Sequence, residues 1–145
     1  MRRIFRGGCH CGAIRLAFAT DAEPAKMEVR ACQCDFCRRQ GSEAVSDPRG
    51  SLEIGCAQPA ALCRYRFAHG RADYLSCANC GTYLGAVRQT QEGLRGFTLI
   101  RVLDERDRFT GKRVTADFEG EGAEARQARR MARWTPTALL LGQGG

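Results

Sequence analysis

With 145 residues, 43% of them apolar and 27% charged, the chain has the length of an ordinary folded domain and too much apolar material to stay disordered. No run approaches the ~18 apolar residues of a membrane helix, and Met1-Arg2-Arg3-Ile4-Phe5-Arg6 leads into Gly7-Gly8 with no room for a signal peptide's apolar stretch. The net charge is +7, but only Lys26 and Lys112 of the 23 basic residues are lysines, and the arginines are spread along the chain with one concentration at Arg126, Arg129, Arg130 and Arg133. This is not the basic stripe interleaved with aromatics that marks a nucleic-acid binder, so neither nucleic acid nor membrane is expected as a partner.

Strand signals dominate the chain. Gly7-Gly8-Cys9-His10-Cys11-Gly12 reads as a tight turn between two strands. Residues 13–18 alternate, with Ile14, Leu16 and Phe18 on one side, which predicts a half-buried strand. Residues 21–24 read as a turn, and residues 27–30 as a strand running into Cys32-Gln33-Cys34-Asp35-Phe36-Cys37. Asp47-Pro48-Arg49-Gly50 is a strong turn signal, with a short strand at residues 51–54 after it. Residues 62–67, 74–75 and 82–87 predict strands around Cys77-Ala78-Asn79-Cys80-Gly81. Residues 96–103 predict another, and residues 114–118 an edge strand.

One helix is predicted, at about residues 121–134. It has acidic residues in its first turn and arginines in its last, which match the helix dipole, and Thr135-Pro136 stops it. It should pack Met131, Ala132 or Trp134 on the body, and residues 142–145 should be loose. No linker divides the chain, so the reading is a single, mainly β domain over residues 1–145, its core at about 5–120.

Seven of the nine cysteines fall into the three clusters, in groups of two, three and two. In a chain kept in a reducing cytoplasm, the expected location, close-set cysteines point to metal or redox chemistry rather than disulfides. Cys77-x-x-Cys80-Gly81 has the spacing of a zinc knuckle, and Cys9-x-Cys11-Gly12 has the same trailing glycine with one fewer spacer. A closed structural zinc takes four ligands, whereas a catalytic zinc takes three and keeps one position open. The simplest division is therefore a closed site of Cys9, Cys11, Cys77 and Cys80, and an open one of Cys32, Cys34 and Cys37. An iron–sulfur site and a redox-active pair are the rival readings, both less suited to knuckle glycines.

Taken in order, Gly-x-Cys-x-Cys-Gly, Cys-x-Cys-x-x-Cys-Arg-Arg and Cys-x-x-Cys-Gly resemble the glutathione-dependent formaldehyde-activating enzyme family, which includes the centromere protein V domain. Arg64-Tyr65-Arg66-Phe67 and the closing Arg-Trp-Thr-Pro of residues 133–136 are similar too. The resemblance is closest over residues 5–87. It implies a mainly β, Mss4-like (β-tent) fold of small antiparallel sheets, two zinc ions per chain with Cys9, Cys11, Cys77 and Cys80 at the structural one, and a catalytic zinc held by Cys32, Cys34 and Cys37. The implied activity is that of a carbon–sulfur lyase, joining a thiol such as glutathione to formaldehyde or a similar small aldehyde. Arg38, Arg39, Arg64 and Arg66 are candidates to hold glutathione's carboxylates.

The central cluster of that family usually reads Cys-His-Cys, and here Gln33 takes the histidine's place; a glutamine cannot act as a general base near neutral pH. Residues 40–47 are also more polar than the apolar strand expected beside the open site. His10 reads as exposed or supporting rather than ligating, His69 as a loop residue, and Trp134 and the phenylalanines as core. Cys56 and Cys63 read as small buried hydrophobes, with a fourth ligand for the second zinc as the alternative. Two further hypotheses stand beside the lyase: a zinc-stabilised binding module without catalysis, and a related enzyme with another thiol or aldehyde substrate.

Overall fold

The computed structural model describes residues 2–67, 72–116 and 122–142. The strands are β1 (Arg3–Gly8), β2 (Ile14–Thr20), β3 (Val29–Cys32), β4 (Ala44–Val45), β5 (Ser51–Cys56), β6 (Leu62–Tyr65), β7 (Asp73–Cys77), β8 (Tyr83–Thr90), β9 (Gly93–Leu99), β10 (Arg113–Ala116) and β11 (Thr135–Leu141). Two α-helices accompany them, α1 (Asp35–Gln40) and α2 (Ala123–Arg133). None of the described helices is long and apolar enough to cross a membrane.

Alternation explains why β2 forms where it does. Ile14, Leu16 and Phe18 are buried, as their period of two requires, and they enter one core with Phe5, Leu52, Ile54, Leu84, Leu99, Leu103 and Phe109. The Phe5 ring meets Phe109 edge to face with centroids 5.1 Å apart. Most expected strands lie within one to four residues of their sequence bounds. Residues 100–103 depart from this, leaving the sheet as a 3-10 turn (Ile100–Val102).

The strands form one network in the order β1-β2-β5-β11-β9-β4-β3-β10, and β6, β7 and β8 continue from β9. The expectation of small antiparallel sheets is corrected here, because β3–β10 and β5–β11 are parallel pairs. β10 is an edge strand, as the sequence indicated. The sheet curls until β1 meets the chain beyond β9 through a Gly7–Leu103 bridge and an Asp104 N–H bond to the Arg6 carbonyl. That curl brings the turn after β1 beside the turn between β7 and β8.

Three elements escaped the sequence reading, the two-residue β4 among them. α1 has only six residues, too few for periodicity to register. β11 follows the Thr135-Pro136 stop directly and is an interior strand, antiparallel to β9 at Thr135 and Pro136 and parallel to β5 over Thr137–Leu141. Pro136 lacks an N–H, and it sits where the strand passes from one partner to the other.

α2 corresponds to the expected helix at 121–134. Trp134 is the residue that seats its end on the body, 3% exposed and edge to face with Phe97 at 5.1 Å, while Ala132 is exposed. The side chain of Met131, the ends of the expected segments at Phe118 and Glu121, His69 and residues 143–145 lie outside the described residues.

Candidate functional site

The four-cysteine cluster forms where two similar turns meet. In the first, Cys9 N–H bonds the Ile14 carbonyl, Gly12 N–H returns to the Cys9 carbonyl at 3.2 Å, and Ile14 N–H points at Cys9 Sγ at 3.2 Å. In the second, Cys77 N–H bonds the Thr82 carbonyl, Gly81 N–H returns to the Cys77 carbonyl at 2.8 Å, and Cys80 N–H points at Cys77 Sγ at 3.4 Å. Gly12 (φ +83°) and Gly81 (φ +79°) occupy the left-handed region each turn requires, with open space where a side chain would stand. The strain of that backbone for other residues, and not crowding, therefore explains the trailing glycine.

Sulfur spacing tests whether a metal fits. Four thiolates about 2.3 Å from a tetrahedral zinc stand roughly 3.8 Å from one another. Cys9 and Cys11 Sγ are 3.7 Å apart, Cys11 and Cys77 Sγ 3.6 Å, and all four sulfurs lie within 4.8 Å of one another. The Thr82 hydroxyl, then backbone N–H groups, pull the Cys80 thiol down to about 5, whereas burial pushes Cys77 up to about 11. The donor set and its spacing fit zinc. His10 is exposed and outside the group, its N–H on Thr82 Oγ1 at 3.3 Å.

The second cluster is local. β3 delivers Cys32, Cys34 caps α1 with its Sγ accepting from Cys37 N–H at 3.4 Å, and Cys37 is buried in the first turn of that helix. The three sulfurs lie within 4.8 Å of one another, with Cys32 and Cys34 half-exposed. Hydrogen bonds from the Cys32 and Cys37 thiols hold Cys34 far below the ordinary thiol range, whereas contact with Cys32, then with Cys34, pushes Cys37 far above it. With three ligands from the protein and an accessible side, this donor set fits a metal that keeps a further coordination position.

Gln33 is turned away, its Nε2 donating to the Ala31 carbonyl at 2.9 Å, so it braces the strand that carries Cys32. The polar segment after α1 is less irregular than expected: Ala44 and Val45 are buried as β4 between β3 and β9, Ser42 is buried, and Glu43 pairs with Arg113 at 3.2 Å. Cys56 is a core residue. Cys63 is exposed on β6, which corrects its reading as a buried hydrophobe, and neither sulfur joins a cluster.

The four candidate arginines separate into two places. Arg38 and Arg39 are exposed on α1, with Arg39 Nε on Asp35 at 2.9 Å. Arg64 and Arg66 both bind Asp73, Arg64 at 3.2 Å, and line a cavity of about 530 Å³ with Arg88, Gln89 and Leu139. The Arg66 hydrogen bond, before burial and Arg64, determines Asp73's titration and holds its carboxyl below the usual range.

A group of aromatic residues, absent from the sequence-based site, stands against the second cluster. Phe36, between Cys34 and Cys37, has ring centroids 5.6 Å from Tyr65, 5.1 Å from Phe67, 5.0 Å from Tyr74 and 5.3 Å from Tyr83. Tyr65 stays 52% exposed, which makes it the outer surface of this wall. The usable signal was Arg64-Tyr65-Arg66-Phe67 itself: in a strand, alternate residues face opposite sides, so the rings turn to α1 and the arginines to the Asp73 cavity.

The profile of the family described as glutathione-dependent formaldehyde-activating enzyme matches residues 4–117, which include both clusters. The chain belongs to that family. A crystal structure of a Rhodobacter sphaeroides protein, a structural-genomics target, is similar at 25% identity, over 75% of this chain and 99% of that one, with a TM-score of 0.57. No curated protein sequence matches this family member.

Proposed function

We propose that this member of the glutathione-dependent formaldehyde-activating enzyme family is a carbon–sulfur lyase, a single domain on the Mss4-like plan. It would join a thiol such as glutathione to formaldehyde or a similar small aldehyde, and reverse that reaction, beside Cys32, Cys34 and Cys37. The observation that carries the reading is the partition of the sulfurs into a set of four and a half-exposed set of three backed by aromatic rings. Family membership supports formaldehyde chemistry in general.

Zinc, when bound by the three sulfurs, supplies a Lewis-acid position that ionises a thiol which would otherwise be only a few per cent thiolate at neutral pH. The chain's own residues do the rest. Cys34 and Cys37 are held to each other by the first turn of α1, and Gln33 ties down the strand before them, which helps to position the three sulfurs. Phe36 and Tyr65 wall one side and restrict water, which helps to hold thiol and aldehyde together. Arg38 stands on α1 beside the cluster, where its charge suits a carboxylate of a glutathione-like thiol, and Arg39 next to it is shared with Asp35. Arg64 and Arg66 are committed to Asp73 and are less suited to that role.

The test is a glutathione titration of the zinc-loaded protein, followed by zinc–thiolate absorption, with formaldehyde then added and the adduct observed by NMR. An absorption change and an adduct formed faster than in buffer support the lyase. One tightly held zinc, no response to glutathione and no adduct would instead identify a binding module.

A further inference from the structure

Arg64 and Arg66, which alternate with the rings of β6, meet at a single acid. Arg66 Nε and Nη2 donate to the two oxygens of Asp73, and Arg64 Nη1 donates to Oδ2 at 3.2 Å. The Asp73 side chain is 9% exposed and those of Arg64 and Arg66 are 41% and 64% exposed, so the acid is the inner member and the guanidiniums are the outer ones. A guanidinium carries five N–H donors in a rigid plane. This pairing leaves Arg64 Nε and Nη2 and Arg66 Nη1 without a hydrogen bond among the described residues. Two positive groups on one negative group also leave one positive charge in excess.

All three residues line the cavity of about 530 Å³, within the range of roughly 300–1,000 Å³ that holds small molecules. Asp73 pairs with Val87 across β7 and β8, and Gln89 pairs with Leu94 across β8 and β9, so these side chains share one face of the sheet. Val87, Leu94 and Leu139 give the cavity an apolar lining. Tyr65 and Tyr74, paired across β6 and β7, put their rings on the opposite face, against Phe36. The cavity therefore lies across the sheet from the three-sulfur cluster.

We propose that this cavity is a ligand site separate from both sulfur clusters, built for a small organic monocarboxylate. The carboxylate accepts from the outer N–H groups of Arg64 and Arg66, and a short apolar body lies on Leu94 and Leu139. The planar donor edge of a guanidinium matches a carboxylate's two oxygens. One excess positive charge balances a monoanion, and it would leave a phosphate monoester, near two negative charges at neutral pH, half neutralised. Asp73 is a positioning residue here: it fixes both guanidiniums before the ligand arrives, which lowers the ordering cost of binding. Neither the metal nor a thiol takes part, so the site stands independently of the lyase reading.

Hexanoate titrated into the full-length, zinc-loaded protein tests this by NMR. The arginine Nε–Hε resonances lost in Arg64→Gln and Arg66→Gln identify the two side chains, and in wild type both should move and saturate with a Kd of about 1 mM. Each of those variants should keep its zinc and a cooperative melting transition, and should bind hexanoate at least about tenfold more weakly. Acetate, which lacks the apolar body, and hexanol, which lacks the charge, should each bind wild type at least about tenfold more weakly than hexanoate. Cys34→Ser, altered only at the three-sulfur cluster, should bind hexanoate as wild type does. Arginine resonances that stay still up to about 50 mM hexanoate would overturn the proposal. So would equal affinity for acetate or tighter binding of hexyl phosphate. Affinity lost in Cys34→Ser would place the carboxylate at the metal and overturn it too. Should the arginine variants fail to fold, Leu94→Glu sets a like charge in the cavity; it should abolish binding, and retained binding would refute the site.

Discussion

Cys11 and Cys77 lie 66 positions apart in the chain, yet their sulfurs stand 3.6 Å from each other. Nothing local holds them there; the curl of the sheet brings the turn after β1 against the turn before β8. A metal at this junction ties together two segments that would otherwise meet only through the fold. The other sulfur cluster is contained within six residues, from Cys32 to Cys37, and needs no such closure. The first cluster is thus suited to stabilise the fold and the second to chemistry.

Cys77→Ser should therefore unfold the protein or leave it aggregated. Structural zinc in small domains binds with about 10–16 kcal/mol at neutral pH, comparable to or larger than the ~5–15 kcal/mol that stabilises a whole domain. Metal analysis of wild type should return two zincs per chain. A chelator should take the one at the three-sulfur cluster first, with little unfolding, and circular dichroism should collapse only when the second leaves.

Cys34→Ser should behave differently. It removes one of three sulfurs from a cluster outside the sheet closure, so one zinc should remain and Tm should fall only modestly. Adduct formation should drop at least about 100-fold, since a Lewis-acid position contributes several kcal/mol and each 1.36 kcal/mol is tenfold. Retained activity with one zinc lost would place the chemistry elsewhere.

Asp73 gives a pH signature. Arg66 and then Arg64 hold its folded carboxyl below the usual range, so its contribution to stability is fully present above the ordinary carboxylate value of about 3.9 and is lost as pH falls through the folded one. Thermal scans of wild type and Asp73→Asn should differ by a steady amount from about pH 6 to about pH 4, and the gap should narrow as pH falls further through the lowered value of the folded carboxyl. A gap that does not narrow below about pH 4 would show that the ion pairs do not stabilise the fold.

Much of this molecule was legible because its signals are local. Spacing alone grouped Cys9 with Cys11 and Cys77 with Cys80, and alternation found Ile14, Leu16 and Phe18 on one face of β2. The two knuckles' partnership followed from ligand number, a chemical constraint that no strand register was needed to supply. Readings failed where tertiary packing decides. Leu139, Leu140 and Leu141 form no alternating pattern, and their strand is set by parallel pairing with β5, a register no local signal supplies. Tyr83 was legible only as a strand residue; its ring contact with Phe36, 47 positions earlier, depends on tertiary packing.

The importance of β11 can be measured through Trp134. Its indole is buried against Phe97 at the point where α2 gives way to β11, so it fixes the position at which that strand enters the sheet. Trp134→Ala should cost about 3–5 kcal/mol, the range for truncating a large buried aromatic, seen as a lower urea midpoint. Ending the chain at Trp134 should do more. It would expose the pairing edge of β5 and strip β9 of its partner at Gly96, leaving unsatisfied backbone groups in the middle of the sheet. We expect that truncation to be recovered only as aggregate, whereas ending after Gly142 should leave the melting transition within about 2 °C of the full chain. A soluble, cooperatively melting product from the Trp134 truncation would refute the interior position of β11.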